Sequence, residues 1–266
     1  MLVDVHCHLD AAAYADPEAA CRESAEAGVT AIVAAGTGLA SNDHILALHA
    51  QFPHQVGAAI GLHPERVDAS WSEVEAVIEQ IERHRDRIVA VGEIGLPHYA
   101  LLDGRMDPEQ ARQHEDYLHA LVKAAARLDL PVVLHAPHES AAARALAIVQ
   151  RYEPPGAVFH WHKSTPETAA AICAAGYHIS ITPEVCYRDR DRQLARAVPL
   201  ANLLLESDGP WAYGGEFSGR PTTSALVARA ADEVAQIKGA PLDAVAAATT
   251  ANAQRVFGSS VVSASV

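Results

Sequence analysis

The sequence carries little positive charge. Only three of its 266 residues are lysine, 33 acidic residues oppose 20 lysines and arginines, and the formal net charge is −13. Proteins that grip nucleic acid with their surface usually show a basic patch, and this chain has no basic run. General affinity for polyphosphate surfaces is therefore disfavoured, and any bound phosphate must be held by metal ions and a few arginines.

Cysteine and long apolar runs are also scarce. The four cysteines, Cys7, Cys21, Cys173 and Cys186, form no CxxC pair, which predicts a reduced cytoplasmic protein. No apolar run approaches the length of a membrane span, and the candidate ligand His6 stands too near Met1 to leave room for a cleavable signal. We expect a cytoplasmic protein with no membrane partner, and no obligate protein partner is evident.

Apolar runs and helical patterns, by contrast, alternate along the whole chain, about once every 30 residues, as successive βα units do. The predicted strands are 2–5, 30–34, 56–60, 88–92, 131–134, 157–159, 177–181 and 202–205. We predict an α/β fold of one domain, a (β/α)₈ TIM barrel with extra C-terminal helices, over residues 1–258. Residues 259–266 are predicted to be a disordered tail.

Helix starts follow from capping residues. Asp16 before Pro17 predicts the start of the first helix, and Ser41 or Asn42 is predicted to cap the second. Residues 188–198 are predicted to form a helix whose alternating charges, from Arg188 to Arg192, indicate a solvated face rather than a nucleic-acid patch.

Histidines and carboxylates stand at the ends of five predicted strands. His6 and His8 flank Cys7, so in an extended strand both imidazoles point to one face and can clamp a metal ion. The candidate ligands at strand ends are His6, His8, Glu93, His135, His160 and Asp208. A doubly wound open sheet would cluster such residues at a topological switch, whereas a closed barrel brings all five strand ends to one mouth.

Six motifs, in order over roughly residues 2–257, resemble those of the TatD family of metal-dependent hydrolases, within the amidohydrolase superfamily. They are His6-Cys7-His8-Leu9-Asp10, Gly61-Leu62-His63-Pro64, Gly92-Glu93-Ile94-Gly95-Leu96, Leu134-His135-Ala136, Phe159-His160 and Glu206-Ser207-Asp208-Gly209-Pro210. The ordered match makes the resemblance far more specific than any single motif.

The resemblance implies a TIM barrel that holds two divalent metal ions. The ligands it implies are His6, His8 and Asp208 for one metal, Glu93 for both, and His135 and His160 for the other. Two cations would lower the pKa of a bridging water enough to give hydroxide at neutral pH, and Asp208 would relay its proton to the leaving group. Four imidazoles with two carboxylates favour zinc, manganese, iron or nickel, although magnesium stays possible.

A second set of residues lies where substrate would bind. The candidates are His63, Tyr99, His138, Trp161, Trp211 and Arg220. A tryptophan beside a ligand motif can stack on a base, and an arginine can pair with a phosphate through its planar fork. Each also has a structural interpretation: His63 can fill a turn, the tryptophans can wall the pocket, and Arg220 can form a loop salt bridge.

Three functions remain open at this point. The resemblance implies first a phosphodiesterase or deoxyribonuclease acting on single-stranded or terminal DNA. Pro97 replaces an aspartate usual in the family, and residues 218–223 lack the arginine-asparagine-glutamate-proline sequence of its nucleases. A hydrolase of small-molecule amides, esters or lactones, including deacylation of aminoacyl-tRNA, is therefore the second interpretation. A non-catalytic metal-binding barrel is disfavoured because all six expected ligands are present.

Overall fold

The computed structural model describes residues 1–258, in which strands and helices alternate. The strands are β1 Leu2–Cys7, β2 Val29–Ala35, β3 Val56–Ile60, β4 Ala90–Gly95, β5 Val132–His135, β6 Ala157–His160, β7 His178–Ile181 and β8 Leu203–Leu205. The helices are α1 Pro17–Glu26, α2 Leu39–Gln51, α3 Trp71–Arg83, α4 Tyr99–Leu102, α5 Pro108–Arg127, α6 Glu139–Tyr152, α7 Pro166–Ala174, α8 Asp189–Ala197, α9 Leu226–Lys238 and α10 Leu242–Phe257. The predicted tail, 259–266, lies outside the described residues.

The eight strands form one parallel sheet in sequence order, each paired with the next. The segment that follows β8 then meets β1: the Asp208 amide donates to the His6 carbonyl at 3.0 Å, and the His8 amide donates to the Gly209 carbonyl at 2.8 Å. These bonds bring the last strand back to the first. The predicted (β/α)₈ TIM barrel is confirmed.

The inside of the barrel is filled by small and β-branched side chains at its N-terminal end. Val3, Ala31 and Leu204 belong to this inner cluster, and α10 adds Ala253 and Phe257 to it. A second, larger apolar cluster fills the space between the sheet and the surrounding helices. Because α10 covers the N-terminal end, the opposite end of the barrel is left for polar side chains.

Four of the ten helices in residues 1–258, α1, α3, α5 and α7, begin at a residue whose side chain caps the first turn. Asp16 accepts a hydrogen bond from the Ala19 amide, with Pro17 as the first helical residue of α1. Asp107 and Gln110 form a reciprocal capping box at the start of α5.

The predicted cap of α2 is wrong. The helix starts at Leu39 after Gly38, so Ser41 and Asn42 lie inside it. The Ser41 hydroxyl accepts from the Thr37 amide at 3.0 Å, and Asn42 bonds both the amide and the carbonyl of Gly61. Both side chains therefore hold neighbouring loops in place instead of capping their own helix.

Within residues 1–258, no helix combines the length and the apolar character that crossing a bilayer requires.

Candidate metal centre

An irregularity near the end of β1 accompanies the turn of His6, within the strand, and His8, directly after it, into the barrel mouth. The pairing of β1 with β2 shifts register between Asp4 and Cys7. Val5 lies in the inner cluster, whereas Cys7 faces the helices. His6 and His8 both point toward Glu93, with Nε2 to Oε2 distances of 3.4 and 3.2 Å. The strand thus presents its two imidazoles together, as the sequence predicts.

Asp4 fixes this part of β1. Its buried carboxylate accepts hydrogen bonds from the amides of His6 at 3.1 Å and Ser207 at 2.9 Å, and from the Ser207 hydroxyl. Because burial disfavours its charged form, the pKa of Asp4 is raised to about 6 despite these bonds. Asp4 therefore ties β1 to the segment after β8, one residue before Asp208.

Glu93 is the centre of the site. It lies fully buried within β4, and imidazole nitrogens surround both of its oxygens. The nitrogens within 3.4 Å belong to His6, His8, His63, His135 and His160. Burial opposes the charge of Glu93, but the surrounding histidines prevail and hold its pKa well below the usual range. A buried carboxylate stays ionised in the middle of the cluster.

Asp208 approaches the same cluster from the opposite side of the mouth. Its backbone takes a φ of +44°, which a non-glycine residue adopts rarely and at some cost. Its Oδ1 lies 3.4 Å from His6 Nε2 and 3.7 Å from His8 Nε2. The strained backbone thereby turns the carboxylate into the mouth.

The donor set fits divalent cations. The donor atoms form three groups, and within each group they lie no more than 4.8 Å apart. The groups are His6 with His8 and Glu93, His6 with His160 and Asp208, and His63 with Glu93 and His135. Among the described residues, both His6 ring nitrogens, Glu93 Oε2 and His160 Nδ1 are buried without a hydrogen-bond partner. Such orphaned polar atoms are costly, and a bound cation would satisfy them.

The six predicted ligands meet at one point, but their grouping differs from the division that the resemblance implies. His160 shares a group with His6 and Asp208, while His135 shares one with Glu93 and His63. His63, predicted to contact substrate, thus lies among the ligand candidates. Its position at the end of β3 carries the same strand-end signal as the other histidines.

Neighbouring groups orient the histidines. His8 Nδ1 lies 2.9 Å from the Ala35 carbonyl and donates to it, which leaves Nε2 free to face the cluster. Behind His160, the buried Glu206 accepts from the Ser180 hydroxyl at 2.7 Å and from the Trp161 amide. Its Oε1 lies 3.7 Å from His160 Nδ1. These contacts restrict the rings before any ion binds.

Sequence reasoning missed Glu65. Its carboxylate lies 3.2 Å from His135 Nε2 and accepts from the amides of His98, Tyr99 and Ala100 at the start of α4. Burial raises its pKa, but these bonds prevail and lower it to about 2. Glu65 joins the candidate centre to the loop that carries Tyr99. No strand-end signal marks it, because it lies in a loop and its partners are 33 or more residues away.

A cavity of about 1010 Å³ opens above the cluster. Five of the six predicted substrate residues line it: His63, Tyr99, His138, Trp161 and Trp211. Trp161 is 7% exposed and packs edge-on against Trp211, which is 56% exposed at the rim. His138 stacks on His98 with ring centroids 3.8 Å apart.

The sixth predicted substrate residue, Arg220, lies outside the residues that line the cavity. Its side chain is exposed. The buried Phe217, packed with Trp161 and Tyr213, anchors the preceding turn, and the Arg220 amide donates to the Phe217 carbonyl. The chain then turns back to the barrel, where the buried Thr222 donates its hydroxyl to the Trp211 carbonyl and accepts from the Tyr14 hydroxyl at its own carbonyl. Arg220 therefore lies on an exposed turn between two anchored segments.

The solvated face predicted for Arg188 to Arg192 is also wrong in part. Arg188 and Arg190 line the cavity and bind the buried carboxylate of Glu184 at 2.6 and 2.5 Å. Glu184 also accepts from the indole nitrogen of Trp161 at 3.2 Å. The acceptor, Glu184, lies before the helix, so the alternating charges of the helix alone did not indicate this contact.

Comparison with known proteins agrees with the geometry. A family profile described as TatD related DNase matches residues 3–258. An uncharacterized metal-dependent hydrolase, TatD, from Mycobacterium tuberculosis is 31% identical over 97% of this chain and 98% of its own length. The human deoxyribonuclease TATDN3 is 28% identical over 96% of this chain and 94% of its own. The crystal structure of YjjV, a TatD homologue from Escherichia coli, superposes with a TM-score of 0.86 at 29% identity, covering 96% of this chain and 97% of that one.

Proposed function

This chain belongs to the TatD family of metal-dependent hydrolases, and we propose that it is a phosphodiesterase that cleaves single-stranded or terminal DNA. The observation that carries the proposal is the ring of imidazoles around the buried carboxylate of Glu93, at the base of a cavity with aromatic walls. The relative from human that is named a deoxyribonuclease supports the substrate.

Two divalent cations are proposed to occupy the cluster. The residues proposed to hold them are His6, His8, Glu93, His135, His160 and Asp208, with His63 beside them. Imidazole-rich donors favour zinc, manganese, iron or nickel over magnesium. When bound, such ions neutralise charge on the phosphoryl oxygens and lower the pKa of water.

Asp208 is proposed to move the proton in hydrolysis. Burial raises the pKa of Asp208, but the close contact with His6 and the charges of the neighbouring histidines prevail and lower it, so the carboxylate is ionised and can accept a proton at neutral pH. The attacking water forms a bond to phosphorus and gives its proton to Asp208. The bond from phosphorus to the ester oxygen then breaks, and Asp208 returns the proton to that oxygen.

The cavity walls suit an unpaired strand. Trp211 at the rim and Trp161 below it offer faces and edges on which bases can stack, whatever the sequence of the strand. A base must leave a duplex to enter such a pocket, which a single strand or a frayed end permits at lower cost. We therefore propose DNA ends and single strands rather than duplex interiors.

A second function is favoured by the charge of the mouth. The chain carries a net charge of −13, and Arg220 lies outside the cavity. The arginines that line the cavity are already paired with Asp103 or Glu184. These features suit an ester, lactone or amide with few phosphates. The proposed alternative is thus a hydrolase of such bonds, including the ester of an aminoacyl-tRNA.

One experiment separates the two functions. Protein reconstituted with zinc or manganese, together with an Asp208→Asn control, is assayed on a fluorescent single-stranded oligonucleotide and on a panel of esters, lactones and amides. Cleavage of the oligonucleotide that is lost in the control supports the phosphodiesterase. Cleavage confined to the small-molecule panel contradicts it and supports the second function.

A further inference from the structure

Among the lysine and arginine side chains that line the cavity, Lys163 is the one without a carboxylate partner in the described residues. Its Nζ lies 3.6 Å from the centre of the Trp161 ring and donates to the Tyr99 hydroxyl at 2.8 Å. Tyr99 is in turn close to the candidate centre, since its ring centroid lies 6.0 Å from that of His135. The ammonium therefore stands one aromatic ring away from the metal-ligand candidates.

The other cations that line the cavity already have carboxylate partners. Arg188 and Arg190 bind Glu184, and Arg105 lies 3.7 Å from Asp103. Within residues 1–258, no carboxylate oxygen lies within 4.0 Å of Lys163 Nζ. A half-buried ammonium on an aromatic face, without a counter-anion, is a site prepared for an anion.

The contact between Lys163 and Tyr99 leaves hydrogen-bond donors of both side chains free. The backbone amide of Lys163 donates to the Pro137 carbonyl at 2.7 Å, which fixes the start of the side chain. Because the Tyr99 hydroxyl accepts from Lys163, its own proton is free to donate elsewhere. The ammonium keeps two further N–H donors. Together the two side chains can offer donors to two oxygens of one phosphate.

We propose that Lys163 and Tyr99 form a phosphate subsite that holds a phosphate of the substrate next to the candidate metal centre. This inference rests on the proposed phosphodiesterase function and names how that site would recognise its substrate. Burial lowers the pKa of Lys163 to about 8, so the group remains largely charged at neutral pH while its water shell is reduced. A poorly hydrated cation binds phosphate at a smaller desolvation cost.

The test compares ligands that differ only in the phosphate. Binding of thymidine 5′-monophosphate and of thymidine is measured by calorimetry on the metal-loaded wild type and on Lys163→Met, Lys163→Arg and Lys123→Met. Lys123 lies exposed on α5, away from the cavity, and gives the same change of charge. Lys163→Met is expected to weaken the monophosphate roughly ten- to hundredfold, the effect of one charge-assisted hydrogen bond. Thymidine binding stays unchanged, Lys163→Arg retains most of the affinity, and Lys123→Met matches the wild type.

Two other binding results would contradict the proposed phosphate subsite. If Lys163→Met weakens thymidine and its monophosphate equally, Lys163 only supports the cavity wall. If neither is weakened, or if the wild type does not prefer the phosphorylated ligand, the pair binds no phosphate.

Oligonucleotide cleavage, measured in parallel, distinguishes this inference from the function on which it rests. In Lys163→Met the KM for a single strand should rise while kcat changes less, and the slope of log KM against log salt should fall by about 0.7. A wild type that binds the phosphate selectively but leaves DNA intact refutes the phosphodiesterase and keeps the subsite. If the wild type cleaves DNA but Lys163→Met binds the monophosphate as tightly as the wild type, the phosphodiesterase function stands and the subsite is refuted.

Discussion

Asp208 has two proposed duties, holding a cation and moving a proton, and one substitution separates them. Asp208→Asn keeps an oxygen donor but cannot accept the proton, so kcat should fall by about 10²- to 10⁴-fold while bound metal changes much less. Turnover and metal content by mass spectrometry check this. Asp232→Asn, on the exposed side of α9, is the matched control. Complete loss of metal from Asp208→Asn would contradict the proton-transfer role.

Glu93 should determine metal binding itself, because it faces five imidazoles at once. Adding zinc or manganese at a hundredfold excess over Kd should stabilise the wild type by about 2.7 kcal/mol for each ion bound and raise its Tm. In Glu93→Gln this rise should nearly vanish, whereas the exposed Glu75→Gln should respond like the wild type. Scanning calorimetry with and without a chelator gives the answer, and an equal rise in both variants would refute the role.

The sequence predicted the residues at strand ends better than those in loops. A ligand such as His135 follows an apolar run, so its place at the barrel mouth depends only on the fold. Glu65 and Arg220 lie in loops, where direction depends on distant contacts. Glu65 is turned inward by the amides at the start of α4, and Arg220 lies on an exposed turn between the buried Phe217 and Thr222. Neither set of contacts is encoded by local periodicity.

Among the strands, β4 and β5 pack too closely to admit a side chain at Gly95. A Cβ there would lie 2.1 Å from the His135 carbonyl oxygen. Gly95→Ala should therefore push β5 away, lower the free energy of unfolding by about 1–3 kcal/mol and weaken metal binding. Gly156→Ala, whose Cβ would make ordinary 3.5 Å contacts, is the control. Denaturant unfolding of both variants is the measurement; equal stability would contradict the steric argument.

The short helix α4 depends on Glu65 more than on its own four residues. Removing the carboxylate in Glu65→Ala leaves the amides of His98, Tyr99 and Ala100 without their acceptor. Amide hydrogen exchange at these three positions should accelerate roughly five- to thirtyfold, since each lost bond costs about 1–2 kcal/mol of local stability. Glu79→Ala, exposed on α3, should leave the rates unchanged. Unaltered exchange in Glu65→Ala would show that the loop is held by other contacts.

The elements themselves were largely predictable because the strands are short apolar runs and several helices, such as α1, begin at a capping residue. The exceptions have a common cause. Asn42 looks like a helix cap but bonds Gly61, and no capping signal marks the short helix α4, which is held by Glu65. In both places a polar side chain finds its partner on another βα unit.

Stability of the molecule as a whole should depend on pH through His178. Its ring is buried, both nitrogens lack partners among the described residues, and burial, together with Arg255, lowers its pKa to about 4. The unfolded chain, with a histidine pKa of about 6.5, binds more protons between pH 6.5 and 4, so stability is lost as the pH falls through this window. The loss from one such group is up to about 3 kcal/mol.

His178→Leu should remove this part of the acid sensitivity. Free energies of unfolding measured from pH 7 to 4 should fall less steeply in the variant, whereas the exposed His44→Gln should follow the wild type. Parallel curves for His178→Leu and the wild type would mean that the ring titrates normally in the folded state.

The N-terminal end of the barrel cannot be covered until α10 has been synthesised. Phe257 and Ala253 of α10 fill the end opposite the mouth, and the Thr250 hydroxyl bonds the Met1 carbonyl at 3.1 Å. The inner surfaces of Val3 and Val5 are synthesised about 250 residues before the α10 side chains that cover them. A nascent chain must expose them until α10 has left the exit tunnel, and chaperones have this apolar surface to shield during that interval.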